Sequence, residues 1–98
     1  MRRGTTPTHT FSTDISLVGA EVLFVTYKQL TKTVLEKTVR DVTIKEDSVE
    51  VTLTQQETLR FKEGDVEMQI RARMPDESAW VSNIMHTTTE KLLKGGVI

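Results

Sequence analysis

The stretch Ser48 to Phe61, SVEVTLTQQETLRF, joins a β-strand pattern directly to a helix-start pattern. Its first half alternates apolar and polar residues, as expected of a strand with one buried and one wet face. The apolar members are Val49, Val51 and Leu53. Thr54 and Glu57 then have the spacing of a capping box, in which both side chains satisfy backbone N–H groups at a helix start. We therefore predict a strand followed at once by one helical turn.

Length and composition narrow the classes of function. The chain has 98 residues, enough for one domain with a modest core but too few for a core plus a deep active site. Its 13 basic and 14 acidic residues nearly balance, so we expect no nucleic-acid partner and no anionic membrane partner. The absence of cysteine excludes disulfides and thiolate metal sites. No signal-peptide pattern and no apolar run of about 20 residues is seen, so we expect neither signal-directed secretion nor a membrane span.

Two further segments are predicted to carry inward faces. The face of the second segment and the face of Val49, Val51 and Leu53 are predicted to be the two main walls of the core. Ala20 to Gln29 is rich in β-branched and aromatic residues and is the strongest strand by composition. We assign its longer apolar face to the core, namely Leu23, Val25 and Tyr27. Asp65 to Met74 also alternates, with charged or amide residues on its second face. Its predicted inward residues are Val66, Met68, Ile70, Ala72 and Met74.

Shorter strands are predicted in the rest of the chain. Pro7 to Thr13 is typical of a first or edge strand, with Phe11 inward. Thr33 to Val39 is predicted to form a hairpin with the preceding strand, and Arg40 to Ile44 to continue it or bend around a bulge. Ala79 to Thr89 is predicted to be one long last strand. In that strand one face would carry Trp80, Ser82, Ile84 and His86.

Together these segments predict an all-β fold, an antiparallel immunoglobulin-like β-sandwich of about six or seven strands with one short helical turn. Residues 1–6 are polar and carry glycine, so we predict a flexible N-terminal lead-in. A single sandwich domain is predicted over residues 7–98. Glu90 to Ile98 is compatible with one more helical turn before the glycine pair at Gly95 and Gly96.

No pattern in the chain predicts a catalytic residue, a cofactor or a metal site. His9 and His86 are the only histidines, and neither has metal-ligand spacing to a second residue, so we interpret both as structural or surface residues. Nucleophile-elbow and phosphate-binding glycine motifs are absent. Acidic residues near the turns are interpreted as solvated. Arg71 and Arg73 either belong to a wet outer face with cross-strand charge pairs or bind phosphate or a partner's carboxylates.

A surplus of apolar residues predicts an interaction surface, because exposed apolar patches mark contact sites in soluble proteins. Val22 and Phe24 lie on the second face of the strongest strand and need a cover from the chain or from another subunit. Val97 and Ile98 form an apolar tip in a polar ending. Trp80 is the only tryptophan, a residue type favoured at interfaces, although partial burial in the core is the stronger interpretation. The candidate interface residues are therefore Val22, Phe24, Trp80, Val97 and Ile98.

Four segments resemble small proteins of similar length encoded in prophages of Firmicutes. They are G-T-T-P-T-H-T-F (Gly4 to Phe11), V-T-Y-K-Q (Val25 to Gln29), V-x-V-x-L-T-Q-x-E-T-L-x-F (Val49 to Phe61) and G-V-I (Gly96 to Ile98). The genes of that family look like neighbours of phage tail and baseplate genes. The strand order of that family's members also resembles that of the amino-terminal domain of phage baseplate upper proteins, which is a likeness of fold alone. No catalytic or ligand-binding residue comes with the resemblance.

The resemblance implies a non-enzymatic phage structural or accessory protein that contacts other phage structural proteins in a tail or baseplate assembly. It implies a location in the virion or in the bacterial host cytoplasm. The surplus of apolar residues further predicts that the protein forms a homo-oligomer. The alternative is a small monomeric recognition module for carbohydrate or another surface ligand, which would require an aromatic platform. A small regulator of nucleic acid is a third hypothesis, which the balanced charge disfavours.

Overall fold

The computed structural model describes all 98 residues. Strands account for 48% of the chain and helices for 7%, which confirms the predicted all-β class. One 3-10 helix, Val39–Asp41, and one α-helical turn, α1 (Gln55–Thr58), interrupt the strands. The strands are β1 (Thr8–Ser12), β2 (Val22–Gln29), β3 (Lys32–Thr38), β4 (Thr43–Ile44), β5 (Ser48–Thr52), β6 (Gly64–Arg73), β7 (Ala79–Val81) and β8 (Met85–Thr89).

The strands form two antiparallel sheets. The three-stranded sheet has the order β1-β5-β4. The five-stranded sheet has the order β3-β2-β6, and both β7 and β8 pair with β6 on its other side. Residues of both sheets belong to one core cluster of 14 buried residues, so the two sheets pack in a sandwich-like arrangement.

The core contains the predicted inward faces of β2 and β6. Leu23, Val25 and Tyr27 are all buried, which confirms the choice of face for β2. Four of the five predicted inward residues of β6 are buried as well, and Met74, just beyond the strand, packs partly against the core. Val25 lies opposite Ile70 in the sheet, so the inward faces of these two neighbouring strands are in direct register.

The predicted junction between β5 and α1 is confirmed. The Glu57 N–H donates to Thr54 Oγ1 at 3.1 Å, and the Thr54 N–H donates to Glu57 Oε1 at 2.9 Å. These reciprocal bonds form the capping box that starts α1. The turn is also anchored from its buried side, because the Thr58 hydroxyl donates to the Thr5 carbonyl at 2.9 Å.

The expectation that Arg40 to Ile44 continues β3 or bends around a bulge is wrong. The backbone forms the 3-10 helix instead, and only Thr43 and Ile44 return to strand pairing. Thr38 explains the change, because its N–H and its hydroxyl both donate to Asp41 Oδ2 at 2.9 Å. Thr38 and Asp41 thus repeat the three-residue spacing of the first capping box with a shorter acid.

The predicted single strand Ala79 to Thr89 is also wrong, because a β-bulge divides it into β7 and β8. Arg71 pairs with Val81, whereas Met68 pairs with Met85, so the second strand contains one extra residue. One extra residue reverses which side chains face inward. Trp80 and His86 therefore lie on opposite faces rather than on one.

The chain ends make specific contacts. In the predicted lead-in, the Met1 amino group donates to the Thr88 carbonyl at 2.6 Å, and Arg2 forms a parallel bridge with Glu90. The Arg2 guanidinium also lies 2.9 Å from the Glu90 carboxylate. Flexibility of residues 1–6 stays a prediction. The segment from Glu90 to Ile98 contains no helical turn.

Candidate interaction surface

The outer face of the five-stranded sheet, which points away from the core, carries two of the predicted interface residues. Phe24 lies opposite Arg71 and Val22 opposite Arg73 in the pairing of β2 with β6. The Phe24 side chain is 38% exposed, and Val22 is half-buried. No second sheet covers these residues, so they remain available to a partner.

A third apolar residue extends this patch across β6. Val81 of β7 pairs with Arg71 on the side opposite Phe24 and is 51% exposed. Sequence analysis did not select Val81, because the bulge that sets the orientation of β7 leaves only a mixed pattern in the sequence. Val22 and Phe24, but not Val81, border an apolar groove of about 240 Å³. Its lining residues are Val22, Phe24, Arg71, Ala72, Arg73, Ala79 and Trp80.

The two arginines give the apolar groove a positive rim. Arg71 forms no ion pair within the chain. Arg73 lies 3.6 Å from the Glu21 carboxylate, but both side chains are about half exposed, and water screens such pairs strongly. The rim therefore keeps positive charge that a partner's carboxylates can neutralise.

Trp80 borders the apolar groove but does not belong to the outer face. It lies opposite Ala72, a buried residue, and packs partly against the core. Its indole N–H donates to Asp14 Oδ1 at 3.1 Å, which ties β7 to the loop before β2. Partial core burial was the stronger interpretation of this residue, and the structure agrees with it.

The apolar tip lies in a different place from the groove. The Ile98 N–H donates to Gln55 Oε1 at 2.9 Å, and Gln55 Nε2 donates to the Ile98 carbonyl at 3.0 Å. The Ile98 side chain is nevertheless 91% exposed, and neither it nor Val97 lines the groove. The structure does not join the tip with Val22 and Phe24 into one surface.

A second, larger groove of about 700 Å³ lies where the turn between β2 and β3 meets the turn before β6. The Gln29 side chain joins these turns, since its amide donates to the Lys62 carbonyl at 2.7 Å and accepts the Lys62 N–H at 2.8 Å. The lining is mostly polar and includes Lys32, Arg60, Lys62, Glu63, Asp65, Glu67 and His86. We call this the hairpin groove.

A nearly buried ion pair links β3 to α1. Lys37 Nζ lies 2.6 Å from Glu57 Oε2, and these side chains are 13% and 15% exposed. Burial opposes ionisation of Glu57, but hydrogen bonds from Lys37 and Thr54 outweigh it and hold the pKa of Glu57 below its ordinary value. Sequence analysis missed Lys37, because a lysine in a strand pattern is ordinarily assigned outward.

Two aromatic side chains form a neutral hydrogen-bonded pair beside this ion pair. His9 Nδ1 and Tyr27 Oη are 2.8 Å apart. Burial, and then the charge of Glu57, raises the pKa of Tyr27, while burial lowers the pKa of His9. The phenol therefore keeps its proton and the imidazole stays neutral, so an uncharged hydrogen bond joins the two rings. This arrangement fits the structural role predicted for His9.

The structure contains no metal-binding cluster and no membrane-spanning helix. No three histidine, aspartate or glutamate side chains are grouped closely enough to hold a metal ion. None of the helices has the length and apolar character needed to span a bilayer. Comparison of the chain with protein-family models, with curated proteins and with solved structures found no match.

Proposed function

We propose that this chain is a non-enzymatic phage structural or accessory protein that acts through protein contacts in a tail or baseplate assembly and self-associates. The phage context rests on the resemblance of its sequence segments, and the contact role rests on the outer face. Its partners are other phage structural proteins and further copies of itself, in the virion or in the host cytoplasm.

We also propose that the fold is an immunoglobulin-like sandwich, and the strand orders support this. Immunoglobulin-like domains place strands B, E and D in one sheet and C, F and G in the other, with an added C′ strand in variable-type domains. The order β1-β5-β4 corresponds to B-E-D, and β3-β2-β6-β7 corresponds to C′-C-F-G. A first strand A, the inter-sheet disulfide and the buried tryptophan of strand C have no counterpart.

The observation that carries the contact role is the exposed apolar groove with its arginine rim. Phe24 lies in the middle of the outer sheet face, where a partly exposed aromatic ring adds little stability to a folded monomer. Aromatic residues and arginine are the residue types enriched at protein interfaces. An exposed aromatic ring beside Val22 and Arg71, with Val81 on the far side of that arginine, therefore favours a protein partner.

Light scattering across a concentration series tests the proposal. We expect the native chain to form an oligomer, and Phe24→Asp to lower its association while cooperative unfolding is retained. Leu93→Asp is the matched control, because Leu93 is an exposed apolar residue outside the groove. Loss of cooperative unfolding in Phe24→Asp, with association intact in the folded fraction, would contradict the assigned role of this face.

The hairpin groove supports the alternative function, a monomeric recognition module for carbohydrate or another surface ligand. Its polar lining can form hydrogen bonds with hydroxyl groups, but His86 is its only ring. A strict monomer that binds a glycan, and loses that binding in Arg60→Ala, would favour this alternative over the assembly protein. Lys45→Ala, a change on a distant hairpin tip, is the control.

A further inference from the structure

The outer side chains of β6 form a row whose charge changes sign from one end to the other. The row contains Asp65, Glu67, Gln69, Arg71 and Arg73. It begins with two carboxylates, has a neutral amide in the middle and ends with two guanidinium groups. Read in the opposite direction, the row presents the opposite charge at each charged position. Such a row is complementary to a reversed copy of itself.

These charges are largely unused within the chain. Asp65, Glu67 and Arg71 form no ion pair, and Arg73 has only the long, exposed contact with Glu21. Glu67 has Lys28 and His86 as its lateral neighbours in the sheet, yet pairs with neither. A partner with the reversed charge order would satisfy both ends of the row at once.

We propose that this partner is a second copy of the chain, stacked outer face on outer face with its strands antiparallel. The twofold axis runs across the strands at the level of Gln69. This inference rests on the proposed contact role of the outer face and adds the identity and direction of the partner. A twofold contact of this kind is closed, because each copy offers the same surface to the other.

The rotation brings opposite charges together on β6. Arg71 faces Glu67 of the partner subunit, and Arg73 faces Asp65 of the partner subunit. Side chains on one face of a strand repeat about every 7 Å, and stacked sheets lie about 10 Å apart, a gap that an arginine and an acidic side chain can bridge together. Stacking with parallel strands would instead set arginine against arginine.

The same rotation gives Phe24 a partner. Phe24 lies beside Arg71, and Lys28 lies beside Glu67, so Phe24 faces Lys28 of the partner subunit. An ammonium group over an aromatic face is attractive, and the lysine stem covers apolar surface. Apolar contact and charge order therefore agree on one direction of stacking.

Charge reversal tests the arrangement. Arg71→Glu with Arg73→Glu makes the row wholly acidic, and Asp65→Lys with Glu67→Lys makes it wholly basic. Because like charges then face each other, we expect each double variant to self-associate on the order of a hundredfold more weakly than the native chain. An equimolar mixture of the two is expected to form a one-to-one dimer in sedimentation equilibrium at low salt.

A fourfold variant that carries all these changes restores self-complementarity with reversed sign, and we expect it to dimerise like the native chain. It also controls for folding, because it contains every substitution of both double variants. Native association should weaken as salt is added.

Two outcomes overturn the inference. If the native chain dimerises but the mixture of double variants does not, the direction of stacking is wrong, while Phe24→Asp still decides whether the outer face is the contact. If the native chain remains monomeric at millimolar concentration, the self-contact is wrong, and the self-association part of the proposed function fails with it.

Discussion

The inner and outer faces of β2 and β6 share one backbone and one register, yet their side chains have different tasks. On the inner face, every large apolar residue is buried, as for Val25 opposite Ile70. On the outer face, Phe24 stands between exposed polar neighbours and remains 38% exposed. Burial on the inner face stabilises the fold, whereas the outer aromatic buries a smaller share of its surface within the chain. The difference is what the proposed contact role of the outer face requires.

The largest expected effect comes from opening a cavity on the inner face. Ile70→Ala removes a fully buried side chain, so we expect the free energy of unfolding to fall by about 2 to 5 kcal/mol. Urea unfolding measures this loss. Glu67→Ala, on the outer face of the same strand, removes a side chain that forms no ion pair, and as the control it should change stability by less than about 0.5 kcal/mol. Equal losses of unfolding free energy in both variants would show that the inner and outer faces contribute equally to stability.

The next effect concerns the charge pair at the rim of the core. Glu57→Gln retains a capping-box side chain but leaves Lys37 nearly buried without its counter-charge. We expect a loss of about 2 kcal/mol at pH 7, less than for a fully buried pair because both groups keep some contact with water. Glu46→Gln, at an exposed hairpin tip, is the control and should leave stability unchanged.

Acid should abolish this difference between the native chain and Glu57→Gln. The pKa of Glu57 is lower in the folded state, so its stabilising contribution is present above its ordinary value of 4.5 and is lost as pH falls through the folded-state pKa. The two unfolding curves should therefore converge as the pH is lowered below that range. A gap that stays constant with pH would show that the lost contribution is not electrostatic.

A smaller effect is expected at the bulge between β7 and β8. The Ile70 N–H donates to Ser82 Oγ at 2.9 Å, so the hydroxyl replaces a backbone acceptor. Ser82→Ala leaves this N–H unpaired, and we expect a loss of about 1 kcal/mol with faster hydrogen exchange at the Ile70 amide. Asn83→Ala, whose side chain forms no hydrogen bond in the structure, should leave that exchange rate unchanged.

The smallest effect on folding is expected on the outer face. Phe24→Thr keeps a residue suited to strands, so we expect the free energy of unfolding to change by less than about 1 kcal/mol. Differential scanning calorimetry of a dilute sample checks this. A loss comparable to that of Ile70→Ala would mean that Phe24 supports the fold rather than a contact.

Regular alternation made the central part of the fold predictable. The inward faces of β2, β5 and β6 follow from residues such as Val25, Val51 and Ile70, because a period of two assigns each side chain to a face. The capping-box spacing of Thr54 and Glu57 predicts α1 for an equally local reason. In these segments the tertiary contacts are consistent with the local sequence patterns.

The errors arose where tertiary contacts override a local pattern. The bulge adds one residue between β7 and β8. Its position depends on the hydrogen bond between Ser82 and Ile70, which lies on a different strand. Lys37 points inward because it forms an ion pair with Glu57. The sequence of β3 alone does not reveal that partner. On the candidate surface, Val22 and Phe24 were predictable because they are apolar residues on the second face of β2, whereas Val81 was not predictable.

The inward direction of Lys37 also limits how the protein can polymerise. Lys37 lies on β3, the outermost strand on one side of the five-stranded sheet, and an inward charge at such a position discourages the addition of a further strand. The bulge interrupts the opposite edge in the same way. Both edges of this sheet are therefore unsuited to open-ended fibre growth by strand addition.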